Sequence, residues 1–278
     1  MSGTSQVETR VYRSFSDDFV ESSDQGYRLP DDYVWVDESR SARAKAMILR
    51  AVGFIAAECY CKAALGMRFE NRQVLDSVAT QGGFFLYANH TQLLGDTCMP
   101  LIAVHPNRAY VLVSTSNLGI PVLGPLLPSL GALPVPDNLE QTKKLKAAVE
   151  KRLEQGYVVA VYPEAHLWPW NTGIRALPAS AFSFPASTLR PVYTLTTTYQ
   201  RRRLRKKPRS VVYVDGPFQP DPSLPKRERK ERLRDEVQSA MIARSKQSTV
   251  SYVRYVPDEG APEMPGSGTS ARGEGGAM

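Results

Sequence analysis

Phe84-Phe85-Leu86-Tyr87-Ala88-Asn89-His90-Thr91-Gln92-Leu93-Leu94-Gly95-Asp96 is the stretch that decides the architecture. Its first five residues are apolar without a break. Such a run is too short for a helix with a buried face and too continuous for a strand with one wet side. It reads as a strand buried on both faces. A polar turn holding a histidine, a glycine and an aspartate follows at once, and ligands of open α/β sheets gather where strands end.

Outward from this stretch the chain alternates strand and helix. Ala109–Val113, Tyr157–Tyr162, Pro191–Thr197 and Ser210–Val214 read as further apolar strands. Asn138 caps a helix over Leu139–Gln155, with Leu145, Val149 and Leu153 on one face and Gly156 as its stop. Glu228–Ser245 is a charged helix that turns Leu233, Val237 and Met241 inward. This predicts an α/β fold whose mostly parallel central sheet is covered by helices on both faces.

An N-terminal amphipathic helix precedes the sheet, over Ser41–Leu65. Ser41 caps it, Gly66 ends it, and Ile48, Val52, Ile55, Cys59 and Ala63 recur at helical spacing. Two readings of that stripe stand side by side: packing on the core, or lying on a membrane surface. The domain plan is an acidic, weakly ordered tail (1–40), a helical region with possible membrane contact (41–82), an α/β domain (83–256) and a disordered Gly/Pro/Ser-rich tail (257–278).

The 278 residues leave room for one large α/β domain or two small ones. Residues 1–38 hold nine acids against three arginines, so the rest of the chain carries a net charge of +13. A body that basic prefers an anionic partner: nucleic acid, a phosphorylated small molecule or a bilayer surface. Three cysteines make no disulfide framework and suit a reducing compartment. The first ten residues lack a secretory pattern. The longest uncharged stretch, Ala109–Pro136, is interrupted by four prolines and three glycines, so it does not read as a membrane span.

Two clusters carry chemistry. His90 at a strand end, with Asp96 a few residues on, suits an oriented general base. The carboxylate holds one ring nitrogen and the other takes a proton from a hydroxyl. The plain alternative is a histidine that caps the next helix. The second cluster is Pro163-Glu164-Ala165-His166-Leu167-Trp168-Pro169-Trp170, with Arg175 shortly after. Glu164 stands where a second carboxylate of a site would stand. Arg175 suits a phosphate held bidentately, or is a solvated loop arginine. His90, His105, His166 and the cysteines show no zinc-type spacing, and neither a phosphate-binding glycine loop, a dinucleotide fingerprint nor a serine-hydrolase elbow is present.

Taken in order, these segments resemble the glycerolipid acyltransferases of the lysophosphatidate (1-acyl-glycerol-3-phosphate) type. That family's hallmark is Asn-His, four residues, then Asp; here five residues separate Asn89-His90 from Asp96. Asn117–Asp137 is similar to the family's Pro/Gly-broken second block, with Asp137 where an arginine is expected. Tyr162-Pro163-Glu164 matches the third block, which then departs from Gly-Thr-Arg at Ala165-His166-Leu167. Arg190-Pro191-Val192 matches the fourth.

The resemblance implies direct acyl transfer, with no cofactor, from acyl-CoA or acyl-carrier protein to the hydroxyl of a lysophospholipid, in phospholipid biosynthesis or remodelling. His90 and Asp96 would be catalytic. Asn89, Thr91, Glu164 and Arg175 would bind substrate, with Glu164 and Arg175 positioning the acceptor head group; Arg175, ahead of Lys143 and Lys144, would stand in for the missing arginine. Gly95 would absorb the extra residue through a backbone conformation open to few other residues. Leu118–Leu133 would border the acyl chain, rest on the bilayer or pack in the core. The enzyme would be cytoplasmic and peripheral on the inner face of the membrane. The basic run Arg201–Arg209 would attract anionic lipid, or would be a solvated loop. Two rival readings remain: a catalytically inactive lipid-binding relative, and a protein that uses the same basic run to bind nucleic acid.

Overall fold

Phe84 and Phe85 are both fully buried, and they enter opposite layers. Phe84, Leu86 and Ala88 pack on one side of the sheet, Phe85 and Tyr87 on the other. This is the two-residue pleat of a strand covered twice, and it is why the run carries no polar residue. The computed structural model describes residues 7–20, 26–78, 82–104, 108–203 and 205–266.

The elements run β1 (Glu8–Tyr12), α1 (Arg40–Tyr60), a π turn (Cys61–Leu65), β2 (Arg68–Glu70), α2 (Gln73–Val78), β3 (Phe85–Ala88), α3 (Gly95–Ala103) and β4 (Ala109–Ser114). Then follow α4 (Leu127–Leu130), β5 (Ala132–Val135), α5 (Leu139–Glu154), β6 (Val158–Val161), α6 (Ser183–Thr188), β7 (Val192–Gln200), β8 (Arg209–Phe218), α7 (Lys226–Ser245) and β9 (Val253–Pro257). Seven strands form one sheet in the order β2-β8-β7-β3-β6-β4-β5. The five from β7 to β5 are mutually parallel, and β8 turns back antiparallel to β7. The mostly parallel, helix-covered sheet is thus as the strand pattern predicts. β3 lies at its middle, between β7 and β6, so the turn after Ala88 opens at the centre of the sheet's edge.

Asn138 caps α5 by accepting the Gln141 N–H at 2.8 Å, and Leu145, Val149 and Leu153 meet Leu233, Val237 and Met241 of α7 in one cluster. On the opposite layer α1 and the π turn pack Ala57, Cys61 and Leu65 against Met99, Ile102 and Ala103 of α3. Ser39 rather than Ser41 caps α1, accepting the Ala42 N–H, and Gly66, at φ 56°, ends the π turn.

The stripe of α1 faces the other way from the core-packing reading. Ile48, Val52 and Ile55 are 61, 63 and 64% exposed, and Met47 and Cys59 are exposed beside them. The buried side is made of Arg50 and Ala57, with Gly53 set against Leu130. Arg50 lies over the Tyr110 ring and donates to the Ser129 carbonyl. Phe54 and Tyr60 also reach the core cluster from this side, while Ile48, Val52 and Ile55 stay outside. Among the described residues no helix is long and apolar enough to cross a membrane.

The N-terminal region departs from the weakly ordered tail its acidity suggests. β1 pairs in parallel with β9 to form a second, two-stranded sheet. Tyr12, Phe15 and Phe19 close around Trp168 and Tyr255. Trp35 packs under the sheet's other layer and donates to the Pro134 carbonyl. Aromatic burial supplies what the charge count conceals, since each such ring hides on the order of 150–250 Å². At the other end, Tyr12 donates to the Pro262 carbonyl, and Ala261 and Met264 pack on the same cluster, while Pro257, Glu259 and Glu263 between and beside them are exposed. The remainder of the expected disordered tail, 267–278, lies outside the described residues, as does His105.

Candidate active site

Extending the pairing of Tyr87 with Val161 sets His90 level with Glu164 across the ends of β3 and β6. Glu164 is fully inside and accepts the main-chain N–H of His90 at 2.9 Å. The turn from His90 to Leu94 is not helical, and Asp96 stands in the first turn of α3. The chain therefore folds back, and His90 Nδ1 lies 2.8 Å from Asp96 Oδ2 despite the extra residue between them.

Gly95 makes this possible by lacking bulk. Its φ is not positive, contrary to the special conformation expected of it. A Cβ there would stand 2.9 Å from Gln92 Cβ and would also meet the tips of the Gln92 and Leu65 side chains. Close approach, rather than a left-handed backbone, is what excludes other residues.

Asp96 Oδ2 also accepts the N–H groups of Thr91, at 2.7 Å, and Gln92, at 2.8 Å. Burial pushes the Asp96 carboxyl above the usual carboxylate range, against the pull of the His90 bond and the two amides. With Asp96 on Nδ1, the free ring nitrogen of His90 is Nε2, and the side chain is 24% exposed. The Tyr162 ring leans on the imidazole at 4.8 Å while its hydroxyl donates to the Asp96 carbonyl. Burial holds the Tyr162 hydroxyl far above its ordinary pKa, so it stays a donor. The arrangement suits an oriented base, with one nitrogen held by a buried carboxyl group and the side chain partly exposed.

The four residues expected to bind substrate are buried and hydrogen-bonded within the chain. The Asn89 amide donates to the Thr197 carbonyl at 3.1 Å and accepts the Thr197 N–H at 2.8 Å, which ties the end of β3 to β7. The Thr91 hydroxyl shares a 2.7 Å hydrogen bond with Tyr199. Glu164 accepts from the Arg175 N–H at 2.9 Å and from the Arg175 guanidinium at 3.2 Å, besides His90. Arg175 also donates to the carbonyls of Phe15 and His166 and stacks on Trp168. The Arg175 Nε has no partner among the described residues, but the guanidinium is enclosed by this chain and only 1% exposed, so no fork faces a phosphate arriving from solvent. These side chains hold the turn in place.

Lys144 pairs with Glu140 on the outer face of α5. The Leu118–Leu133 segment divides, with Leu118 and Leu133 buried and Val122 85% exposed. Arg202 and Arg205 of the basic run donate to the carbonyls of Ala64 and Ala63 at the end of the π turn. Among the described residues no three of His, Cys, Asp and Glu gather in a group that would hold a metal ion.

Tyr162, Gln92 and Tyr199 have parts in the site that sequence reasoning missed. Tyr162 carried a faint signal, as the one polar-tipped aromatic ending a strand just before Pro163-Glu164. The contacts of Gln92 and Tyr199 depend on strand pairing and had none.

A protein-family model described as Acyltransferase matches residues 67–217. No curated protein matches the chain. Among solved structures, the 1-acyl-sn-glycerophosphate (LPA) acyltransferase PlsC from Thermotoga maritima is similar, with a TM-score of 0.50 at 15% identity over 77% of this chain and 86% of that one. That likeness is one of fold.

Proposed function

The chain belongs to the acyltransferase family, and from that premise we propose that it moves a fatty acyl group from an acyl thioester to the hydroxyl of a lysophospholipid such as 1-acyl-glycerol-3-phosphate. One observation carries the reading: His90 Nδ1 is held 2.8 Å from a buried carboxylate while Nε2 is open.

His90 Nε2 takes the acceptor proton as the hydroxyl oxygen attacks the thioester carbonyl of acyl-CoA or acyl-carrier protein. The C–S bond then breaks, and the imidazolium returns its proton to the departing thiolate. Asp96 keeps the ring in register and stabilises the imidazolium. No acyl-enzyme forms and no cofactor is called for.

Both substrates are amphiphilic, and the surface around the dyad supports work at a bilayer. The exposed Ile48, Val52 and Ile55 of α1 lead toward the π turn, where Arg202 and Arg205 attach. Leu65 of that turn abuts Gly95, and the neighbouring Leu93 and Leu94 are exposed. An apolar stripe, a basic loop and the dyad turn thus meet at one end of α1. Each basic residue near an anionic surface contributes on the order of 1 kcal/mol. The reading makes the protein peripheral, on the inner, cytoplasmic face of the membrane, with the bilayer rather than nucleic acid as its anionic partner.

The test is thiol release from acyl-CoA with 1-acyl-glycerol-3-phosphate as acceptor, for the wild type and His90→Ala. Release that needs both acceptor and His90 supports the proposal. A wild type that binds vesicles but releases no thiol makes it an inactive lipid-binding relative.

A further inference from the structure

A carbonyl in an α-helix accepts the N–H of the residue four places on. For Asp96, in the first turn of α3, that residue is Pro100, which has no N–H to give. The pyrrolidine ring also crowds the carbonyl four residues before it. The Asp96 carbonyl thus has no α-helical donor to meet, and it belongs to the residue whose carboxyl group holds His90 Nδ1.

The Tyr162 hydroxyl donates to that carbonyl. The pleat of β6 brings it there. Val158 and Ala160 face the layer of α3, and Val159 and Val161 face the other. A period of two places Tyr162 with Val158 and Ala160, and it packs on the cluster that holds Met99 and Ile102 of α3. The same ring lies against the His90 imidazole, with centroids 4.8 Å apart and planes 37° from parallel. One side chain therefore touches both members of the dyad, the ring of one and the backbone of the other.

The other polar contacts of Asp96 come from its own turn. Its N–H donates to the Gln92 carbonyl at 3.1 Å, and its carboxyl group accepts from Thr91 and Gln92. Those bonds stay within residues 91–96 and move with the turn. Tyr162 follows β6, which pairs with β3 in a register that sets Tyr87 beside Val161. Its hydroxyl ties the start of α3 to the frame of the sheet.

We propose that Tyr162 is a positioning residue for acyl transfer: its ring bears on the His90 imidazole while its hydroxyl holds the Asp96 carbonyl that Pro100 cannot serve. The inference rests on the acyl-transfer reading above and names what aligns its base. Tyr162 exchanges no proton with substrate. It keeps Nδ1–H on the Asp96 carboxyl group, and so keeps Nε2 as the nitrogen that accepts.

The experiment uses the full-length protein in two backgrounds. Tyr162→Phe keeps the ring and removes the hydroxyl. It should lower kcat about 3- to 10-fold, the worth of one neutral hydrogen bond, with the KM of either substrate moving less than about twofold. Pro100→Ala supplies an N–H for the Asp96 carbonyl, so in that background loss of the hydroxyl should cost less than about twofold. A tyrosine that only fills space would cost the same in both. Equal losses in the two backgrounds, or an unchanged kcat in Tyr162→Phe, overturn the inference while leaving acyl transfer intact. A wild type that releases no thiol with 1-acyl-glycerol-3-phosphate defeats the acyl-transfer reading instead. The positioning role is then judged by nitrogen NMR of the imidazoles, which needs neither activity nor the Pro100 variant. A His90 ring that carries its proton on Nδ1 in the wild type, and less so in Tyr162→Phe, supports it; the same tautomer population in both overturns it.

Discussion

The Glu164 carboxylate accepts the main-chain N–H of His90 and at the same time pairs with the buried Arg175 guanidinium. The ion pair of the third motif thus holds the backbone of the first. Asn89, Thr91, Glu164 and Arg175, expected from the sequence to be ligands, are here bonded within the chain around the His90 turn.

His90→Ala and Asp96→Asn should each lower kcat/KM by about 10²–10⁴, the range of a positioned general base. Circular dichroism should show an unchanged fold. Asp96→Asn removes a charge that burial opposes, but its amide nitrogen would take the place of a carboxylate oxygen that is buried without a partner. The two effects offset, so the melting temperature should move by only a few degrees. Activity within twofold of wild type for either variant would remove the dyad from the mechanism.

The raised Asp96 carboxyl fixes a sign. Its folded pKa lies above the unfolded value, so the folded state binds more protons between the two. Asp96 therefore contributes stability below the unfolded value that is lost as pH rises through the folded one. Denaturant midpoints of wild type minus Asp96→Asn should fall with rising pH across that window. A difference that grew with pH would contradict the burial argument.

Arg175→Ala strands the Glu164 carboxylate inside the protein. Breaking one side of a buried pair costs about 3–5 kcal/mol, and the loss should appear as a lower urea midpoint. Activity should fall for every acceptor alike, because His90 loses its anchor. A selective rise in KM for phosphorylated acceptors, with stability intact, would return Arg175 to the binding role the sequence suggested.

Gly95→Ala adds a methyl group 2.9 Å from Gln92 Cβ, so the Gln92 and Leu65 side chains must shift to admit it. Overpacking of this kind costs about 1–3 kcal/mol and should push the turn apart. The expected result is a loss of kcat larger than any change in donor KM. A fully active Gly95→Ala enzyme would show that the turn is slack.

Val52→Ser with Ile55→Ser alters side chains that already face water, so thermal stability should hold. Flotation with anionic vesicles should drop about tenfold or more, since each side chain forfeits about 1.5–3 kcal/mol of apolar burial. Unchanged flotation would assign the stripe to something other than lipid.

The sheet was legible in the residues alone. Continuous apolar runs, capped helices and a histidine after the first core strand are local patterns, and local patterns follow from backbone period and turn chemistry. The order of the motifs brought His90, Asp96 and Glu164 to one edge. Tertiary structure alone decided which polar groups remain free. Asn89, Thr91, Glu164 and Arg175 look like ligands in a string of letters, yet their partners at Thr197, Tyr199, His90 and Phe15 lie up to 160 residues away. The same holds for α1, whose period marks a stripe without saying which face the protein covers, and for β1, whose acidic surroundings hide aromatic rings that meet Trp168. Burial is a property of pairs of distant segments, and it is burial that separates a side chain holding the fold from one facing a substrate.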